Sequence, residues 1–425
     1  MMTASVHQTE QLLFTVLLQL IVMIGAARAM GSLFRRFGQP GAVGEIVAGL
    51  MLGPSLFGHL FPGASAALFG AKPDPAITIL SQIGLVLLMF QIGCGFEFGQ
   101  LRSPRLKRLT LAVAIPSIAV PFALGFLIGT FSAHALAPGI DGTIYSLFCG
   151  VALAITAVPI LGRILIEHGL EKSEIGVVAI SAAAINDVTG WVMLALISAY
   201  ASAQLSPAHV AVQIGGLIAF VLVLRFVLAP LADRLVARFP LRDGQLPPNL
   251  LAILICLAFA LAICTFRLGI FAIFGGFAAG LLFHRHSEIA AAWSRQVGGF
   301  VLVFFLPIFF TFTGLRTDLL GLGAADLPWL LIVLVAAIAG KVVPAWLAAR
   351  ASGFGQRPAL ALGALMNTRA LMELIVLNIG RELGFLPQAM FTMLVVMAVV
   401  TTLMTGPLLR LFLFRSDIAL RRVEA

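Results

Sequence analysis

The residues of this chain best suited to chemistry are charged side chains inside long apolar segments, where a charge is costly and therefore points to function. Asp187 lies near the middle of such a segment and follows Asn186. A carboxylate is a hard oxygen ligand for a cation and also binds a proton. Asn186 adds a neutral carbonyl oxygen but no second titratable charge. The pair predicts a site where a cation and a proton compete; the alternative is a structural carboxylate paired with Lys or Arg.

A second polar position precedes Pro159, in the stretch Ala154–Pro159 of another apolar segment. Pro159 lacks a backbone N–H and so frees carbonyl oxygens near the middle of the predicted span, while Thr156 supplies a hydroxyl group. We therefore predict a broken helix here, with Thr156 in the binding site and Pro159 supporting it.

Polar residues also cluster, without a proline, at Asn367, Thr368, Arg369 and Glu373. They predict a second broken helix that crosses the first, with Arg369 compensating the carbonyl ends of the half-helices. Arg369 and Glu373 are spaced i,i+4, which favours a structural ion pair between them over direct contact with an ion.

Lys341 is flanked by apolar residues on both sides. A lysine in this position either takes part in the site as a titrating group, pairs with Asp187, or extends its ammonium group to the membrane boundary. The sequence leaves these three roles open.

Composition identifies the class of protein to which these segments belong. Apolar residues make up 60% of the 425 residues, charged residues make up 11%, and the mean hydropathy is +1.07. Soluble globular proteins are about 25% charged. The chain is therefore predicted to be an all-α, multi-pass integral membrane protein, which excludes nucleic-acid partners. The sequence also lacks HExxH, GxxxxGK[ST] and GxSxG motifs, so neither an enzyme nor a cofactor is expected.

Apolar runs separated by Pro, Gly and charges predict about thirteen transmembrane helices. Their approximate ranges are 11–34, 41–58, 76–97, 109–131, 143–166, 173–200, 208–232, 249–267, 269–283, 298–316, 327–349, 358–380 and 388–411.

The distribution of basic residues predicts the orientation of these helices. Of the 27 Lys and Arg residues, 20 lie near or beyond the span ends on one side and four on the other, and three, Arg225, Lys341 and Arg369, are assigned to the spans themselves. Cytoplasmic loops carry the excess of positive charge. We therefore expect the N-terminus outside and the C-terminus in the cytoplasm, with the protein in the plasma (inner) membrane.

A weak internal repeat indicates a transporter. The Gly-rich stretch 44–52 in the second span resembles the stretch 275–283 in the ninth. Because these spans are seven apart, the two halves, roughly 11–200 and 249–411, run in opposite directions, with 208–232 as a linker helix. Inverted repeats with broken helices at the bilayer midplane are typical of secondary transporters.

With these motifs in place, the sequence resembles the monovalent cation/proton antiporters, specifically the second cation/proton antiporter family, over essentially the whole chain. The plant CHX-type branch and its microbial, Kef-type relatives are the most similar. The resemblance is carried by Phe37–Ser55, Ala154–Leu165, Ala182–Val188, Phe305–Leu319 and Met366–Gly380.

This resemblance implies a homodimer in the lipid bilayer, with a sodium/proton antiporter fold of thirteen helices and a core that moves like an elevator. It also implies that Asp187 binds the ion, that Thr156 is a broken-helix ligand and that Lys341 is the basic residue of the eleventh span. Asn186 stands where electrogenic members carry a second aspartate, which resembles the electroneutral pattern. Ala182 stands where electroneutral members of another branch carry a glutamate that pairs with an arginine, so Arg369 needs another partner.

The prediction is therefore a K⁺ or Na⁺/proton antiporter, formed by a single membrane domain over residues 1–425 without a soluble regulatory domain. Asp187 binds the monovalent cation or the proton, in a 1:1 exchange. Two alternatives share the scaffold: a cation channel and a transport-inactive regulatory subunit.

Overall fold

The expected all-α class is confirmed by a computed structural model that describes residues 2–39, 41–70, 75–95, 104–170, 173–202, 207–241, 243–268, 272–369 and 371–414 and contains no strand in those ranges. The helices are α1 (Met2–Arg36), α2 (Gly41–Leu52), α3 (Phe57–Leu60), α4 (Pro62–Phe69), α5 (Pro75–Cys94), α6 (Pro104–Leu136), α7 (Gly142–Ala154), α8 (Val158–Glu167), α9 (Glu174–Ser202), α10 (Pro207–Val223), α11 (Ala229–Arg238), α12 (Pro248–Arg267), α13 (Ala272–Leu281), α14 (Ser287–Trp293), α15 (Leu306–Leu315), α16 (Leu327–Ala351), α17 (Gln356–Met366), α18 (Leu371–Glu382) and α19 (Gln388–Leu409). Short π-helical turns lie between α10 and α11, between α14 and α15, and after α19.

Many of these helices are long and apolar enough to cross a membrane. Within the described ranges there are nine such helices, or up to ten if the pair Ser287–Gly298 and Val301–Leu315, bent by 47°, is one span. The chain is thus a multi-pass integral membrane protein.

Three of the thirteen predicted spans fall on shorter helices. The span 143–166 is divided between α7 and α8, and the span 358–380 between α17 and α18. None of these four helices has the roughly 20 residues that a helix needs to cross a bilayer on its own. The span 269–283 corresponds to α13, and its first three residues lie outside the described part of the chain. The number thirteen therefore stays a prediction.

The helices divide into two compact units. The first comprises Met1–Ala29, Ala48–Glu97 and Ser198–Leu315. In its core, Met23 of α1 packs with side chains of α5 and α15 that include Ile77 and Phe312.

Glycine permits close backbone contact between α2 and α15 in this first unit. A methyl group added at Gly314 would overlap the backbone carbonyl group of Gly49. Because the obstacle is backbone, which cannot turn aside as a side chain can, only a residue without Cβ fits here.

We predict that Gly314→Ala lowers the free energy of unfolding by about 1–3 kcal/mol, since overpacking forces the two helices apart. The measurement is the melting temperature in detergent, read from the folded peak in size-exclusion chromatography after heating. Gly25→Ala in α1 is the matched control, because its Cβ would meet no atom within 4 Å. We expect this control to be neutral or slightly stabilising. Equal melting temperatures for both variants would contradict the backbone contact.

The second unit comprises Met30–Val47, Phe98–Ile197 and Arg316–Ala425. Within it, α6 packs against α7 and α16, and α17 and α18 pack against α19. Both interrupted helices and all of the predicted site residues belong to this unit.

Candidate functional site

The first helix break separates α7 from α8. Asp141 begins α7 by accepting hydrogen bonds from the backbone N–H groups of Thr143 and Ile144, at 2.9 Å each. The helix ends at Ala154, and Ile155 has extended backbone angles. Pro159 was predicted to interrupt the helix, but its backbone lies in the first turn of α8, where a missing N–H is tolerated. The break therefore precedes the proline and leaves carbonyl groups of α7 without helical donors.

The second break, between α17 and α18, contacts the first. The backbone N–H of Ala157 donates to the carbonyl oxygen of Thr368 at 3.1 Å. The hydroxyl group of Thr156 donates to the carbonyl oxygen of Met366 at 3.4 Å. Two stretches of irregular backbone thus satisfy part of each other's hydrogen bonding away from water, as irregular backbone at membrane depth must.

Asp187 lies beside the first break. It projects from α9 and is 5% exposed. Its Oδ2 atom accepts a hydrogen bond from the backbone N–H of Val158, the first residue of α8, at 3.3 Å. Its Oδ1 atom is also buried, and no residue that the structure describes donates a hydrogen bond to it. One oxygen of the carboxylate is therefore held by a helix N-terminus, and the other remains available to a ligand.

Lys341 supplies the positive charge nearest to the first break. It is fully buried on α16 and donates to the carbonyl oxygen of Ala154 and, at 2.6 Å, to Thr156 Oγ1. These contacts place the ammonium group of Lys341 beside Thr156, and which of the three predicted roles it plays stays a prediction. Among the described side chains it donates to these neutral oxygens and not to the carboxylate of Asp187.

Asn186 completes the surroundings of the ammonium group. The hydrogen-bond network favours the amide orientation in which its nitrogen donates to the carbonyl oxygens of Ala114 and Ala182. In that orientation its Oδ1 atom accepts from Lys341 Nζ at 3.3 Å. All three N–H donors of the lysine then have an oxygen acceptor.

Arg369 and Glu373 form a second charged pair. Both side chains are fully buried, and Arg369 Nη1 lies 3.7 Å from Glu373 Oε2, consistent with the i,i+4 spacing. The guanidinium group also donates to the carbonyl oxygens of Ala152, at 3.1 Å, and Ala337, at 3.4 Å. Ala152 lies in the last turn of α7, so Arg369 compensates carbonyl groups at the end of that half-helix. These are the partners it uses in place of a glutamate at position 182.

Asn367 and Thr368 lie between α17 and α18 and are fully buried. Within the described part of the chain, the amide nitrogen and oxygen of Asn367 have no hydrogen-bond partner. The hydroxyl group of Thr368 lies 3.3 Å from that of Thr405 on α19. Thr402 accepts from the backbone N–H of Arg369 at 3.2 Å.

The sequence prediction did not include Thr402 and Thr405. Three of the four threonines of α19, at 401, 402 and 405, cluster within five residues of its apolar sequence, and this clustering is the signal that the sequence offers. The structure brings the other predicted site residues together around the two breaks.

The charges at the breaks balance when all four groups are ionised. Asp187 and Glu373 are acidic, and Lys341 and Arg369 are basic; all four are buried within one unit. Buried charges persist in an apolar environment only when other charges and hydrogen bonds compensate them. Binding a cation adds one positive charge to this set, and protonating Asp187 adds the same charge, so either ligand can take the place of the other. The arrangement can therefore couple cation binding to proton release.

Comparisons with known proteins identify the family of the chain. The family model described as sodium/hydrogen exchanger, transmembrane, matches residues 20–415. The Na(+)/H(+) antiporter NhaS4 of Synechocystis sp. is 37% identical over 408 residues, which cover 93% of this chain and 96% of that protein.

Eukaryotic relatives are longer. Cation/H(+) antiporter 18 of Arabidopsis thaliana is 35% identical over 92% of this chain and 48% of its own length. K(+)/H(+) antiporter 1 of Saccharomyces cerevisiae is 31% identical over 89% of this chain and 44% of its own. The chain thus spans about half the length of these two relatives.

A solved structure shares the fold. The sodium proton antiporter MjNhaP1 from Methanocaldococcus jannaschii aligns over 93% of this chain and 97% of its own, with a TM-score of 0.64 and 16% identity. The resemblance drawn from the sequence motifs is confirmed by the family model and the relatives. The chain belongs to the sodium/hydrogen exchanger family.

Proposed function

We propose that the protein is a monovalent cation/proton antiporter that exchanges K⁺ or Na⁺ for H⁺, with Asp187 binding either the cation or the proton. The observation that carries this proposal is the buried carboxylate beside the first helix break. Its Oδ2 atom is held by the Val158 N–H, and its Oδ1 atom has no hydrogen-bond donor among the described residues. The names of the relatives, which include sodium, potassium and general cation/proton antiporters, support the same substrates.

The cation ligands are proposed to be Asp187 Oδ1, the hydroxyl oxygen of Thr156, the amide oxygen of Asn186 and the carbonyl oxygen of Ala154. These are hard oxygen donors, which alkali cations prefer. Thr156, Asn186 and Ala154 accept hydrogen bonds from Lys341 Nζ through these oxygens. The lysine ammonium group thus holds the ligands together, and an arriving cation replaces it at the same oxygens.

The remaining details extend this proposal. Asn186 contributes no second titratable charge, which favours electroneutral exchange of one proton for one cation. We further propose thirteen spans with crossed broken helices, elevator-type movement of the unit that contains the site, and a homodimer. The N-terminus is proposed to lie outside the plasma (inner) membrane.

The test of this function is dye-reported proton flux in proteoliposomes with an imposed pH gradient. We expect K⁺ or Na⁺ to dissipate the gradient, and the rate to be unchanged when the membrane potential is clamped independently of potassium. Li⁺ and Rb⁺, added in separate samples, rank the selectivity.

Two outcomes would overturn the proposal. Cation current without proton movement, at rates far above those of carriers, would indicate a channel. Absence of proton movement with every cation would indicate a regulatory subunit.

A further inference from the structure

An open apolar groove of about 670 Å³ runs between α6 and α16 in the second unit. It is lined by Ala112, Pro116 and Val120 from α6 and by Val343, Pro344 and Leu347 from α16. Pro116 and Pro344 both lie inside their helices, where proline removes a backbone hydrogen bond and distorts the helix. The groove therefore lies where two proline-containing helices face each other.

The two helices run antiparallel along the groove. A Cβ at Gly340 would lie 3.1 Å from Leu124 Cδ1, which fixes one end of the groove at these two residues. The other end is therefore formed by Ala112 of α6 and Ser352, which follows α16. From Gly340 to Ser352 the helix rises by roughly 18 Å, compared with about 15 Å for one leaflet of the hydrocarbon core. The groove is long enough to extend from the bilayer midplane to the level of the lipid headgroups.

Two arginines lie near the end of the groove that is formed by Ala112. Arg108 precedes Ala112 by one helical turn and lies on the same face of α6. Arg350 follows Leu347 by three residues on α16 and so lies next to the lining face. Both side chains are exposed. This end therefore combines an apolar channel with two guanidinium groups, which bind phosphate oxygens well.

We propose that this groove binds an anionic glycerophospholipid, with an acyl chain between α6 and α16 and the phosphate group at Arg108 and Arg350. An acyl chain suits the groove because it belongs to helices that cross the membrane and its lining is apolar except at Ser352. The charge of the two arginines selects the headgroup. The inner end of the acyl chain reaches Gly340, the residue before Lys341.

The test is native mass spectrometry of the purified protein with added palmitoyl-oleoyl phosphatidylglycerol or, separately, the phosphatidylcholine with the same chains. We expect phosphatidylglycerol to be retained at least about 10-fold better. The variant Arg108→Gln/Arg350→Gln loses this preference, since two basic residues contribute about a 30-fold difference in affinity. Arg234→Gln/Arg238→Gln, which removes two arginines of α11, is the matched control and retains it.

A second pair of variants tests binding of the acyl chain in the groove without changing the charge of the protein. Ala112→Phe places a ring in the groove and is expected to reduce phosphatidylglycerol retention by at least about 10-fold. The control is Ala119→Phe, at an exposed position of α6 outside the groove, and it is expected to leave retention unchanged. Equal retention of the two lipids by the wild type overturns the proposal. So does unchanged retention in the arginine variant or in Ala112→Phe. Lipid retention is read directly, so the result does not depend on cation exchange.

Discussion

Asp187→Asn is expected to reduce cation-dependent proton flux to the level of protein-free liposomes. Asparagine cannot bind or release a proton, and its neutral oxygen is a weaker cation ligand than a carboxylate. The fold is expected to remain, because the amide oxygen still accepts from the Val158 N–H, and Lys341 keeps its hydrogen bonds to Ala154 and Thr156. The measurement is proton flux in proteoliposomes together with the melting temperature in detergent.

The matched control is Asp141→Asn. Asp141 caps the N-terminus of α7 through its side-chain oxygen, and asparagine caps helices about as well as aspartate. This variant is therefore expected to exchange at the wild-type rate. Exchange at the wild-type rate in Asp187→Asn would show that another group binds the ion.

Arg369→Met is expected to destabilise the protein by about 3–5 kcal/mol. The substitution leaves the carboxylate of Glu373 buried without its cationic partner, and that loss is more costly than the pair itself is stabilising. It also removes the donors to the carbonyl oxygens of Ala152 and Ala337. The measurement is the fraction of protein that stays monodisperse in detergent after heating.

The double variant Arg369→Met/Glu373→Met separates these two effects. Removing both charges is expected to recover most of the lost stability, because no unpaired charge then remains. Arg234→Met, an exposed arginine of α11, is the control and is expected to change stability by less than about 0.5 kcal/mol. A double variant as unstable as Arg369→Met alone would show that the carbonyl contacts, and not the ion pair, are what Arg369 contributes.

The features that the sequence predicted well depend on composition and local spacing. The membrane class follows from the scarcity of charge. The contact between Arg369 and Glu373 follows from helical geometry, since four residues bring two side chains to one face. The segments that contain the breaks were marked by Thr156 and Pro159 in one case and by the polar cluster beginning at Asn367 in the other.

The contacts of Lys341 could not be predicted in the same way. Its acceptors include the carbonyl oxygen of Ala154, 187 residues earlier, and every residue carries a carbonyl group. Which one is left without a helical donor depends on where α7 ends. The position of that end also differs from expectation, because Pro159 lies in the first turn of α8 instead of interrupting a longer helix.

The hydroxyl groups of α19 were missed for a related reason. Threonines in membrane helices commonly donate to the carbonyl four residues earlier, and Thr401 and Thr402 do so. Such a threonine has no sequence feature that distinguishes it from one that also contacts a neighbouring segment. Only the tertiary packing brings Thr402 to the backbone of Arg369.

The contact between the two helix breaks also constrains how the protein is made. Thr156 and its acceptor Met366 are 210 residues apart, and the Ala157–Thr368 bond joins the same two stretches. At the usual rate of synthesis, the second stretch follows the first by roughly 10–40 s. During that interval the first break is already translated while its partner does not yet exist. The nascent chain must therefore hold polar backbone at membrane depth by other means, with water, lipid headgroups or the insertion machinery, until the second half arrives.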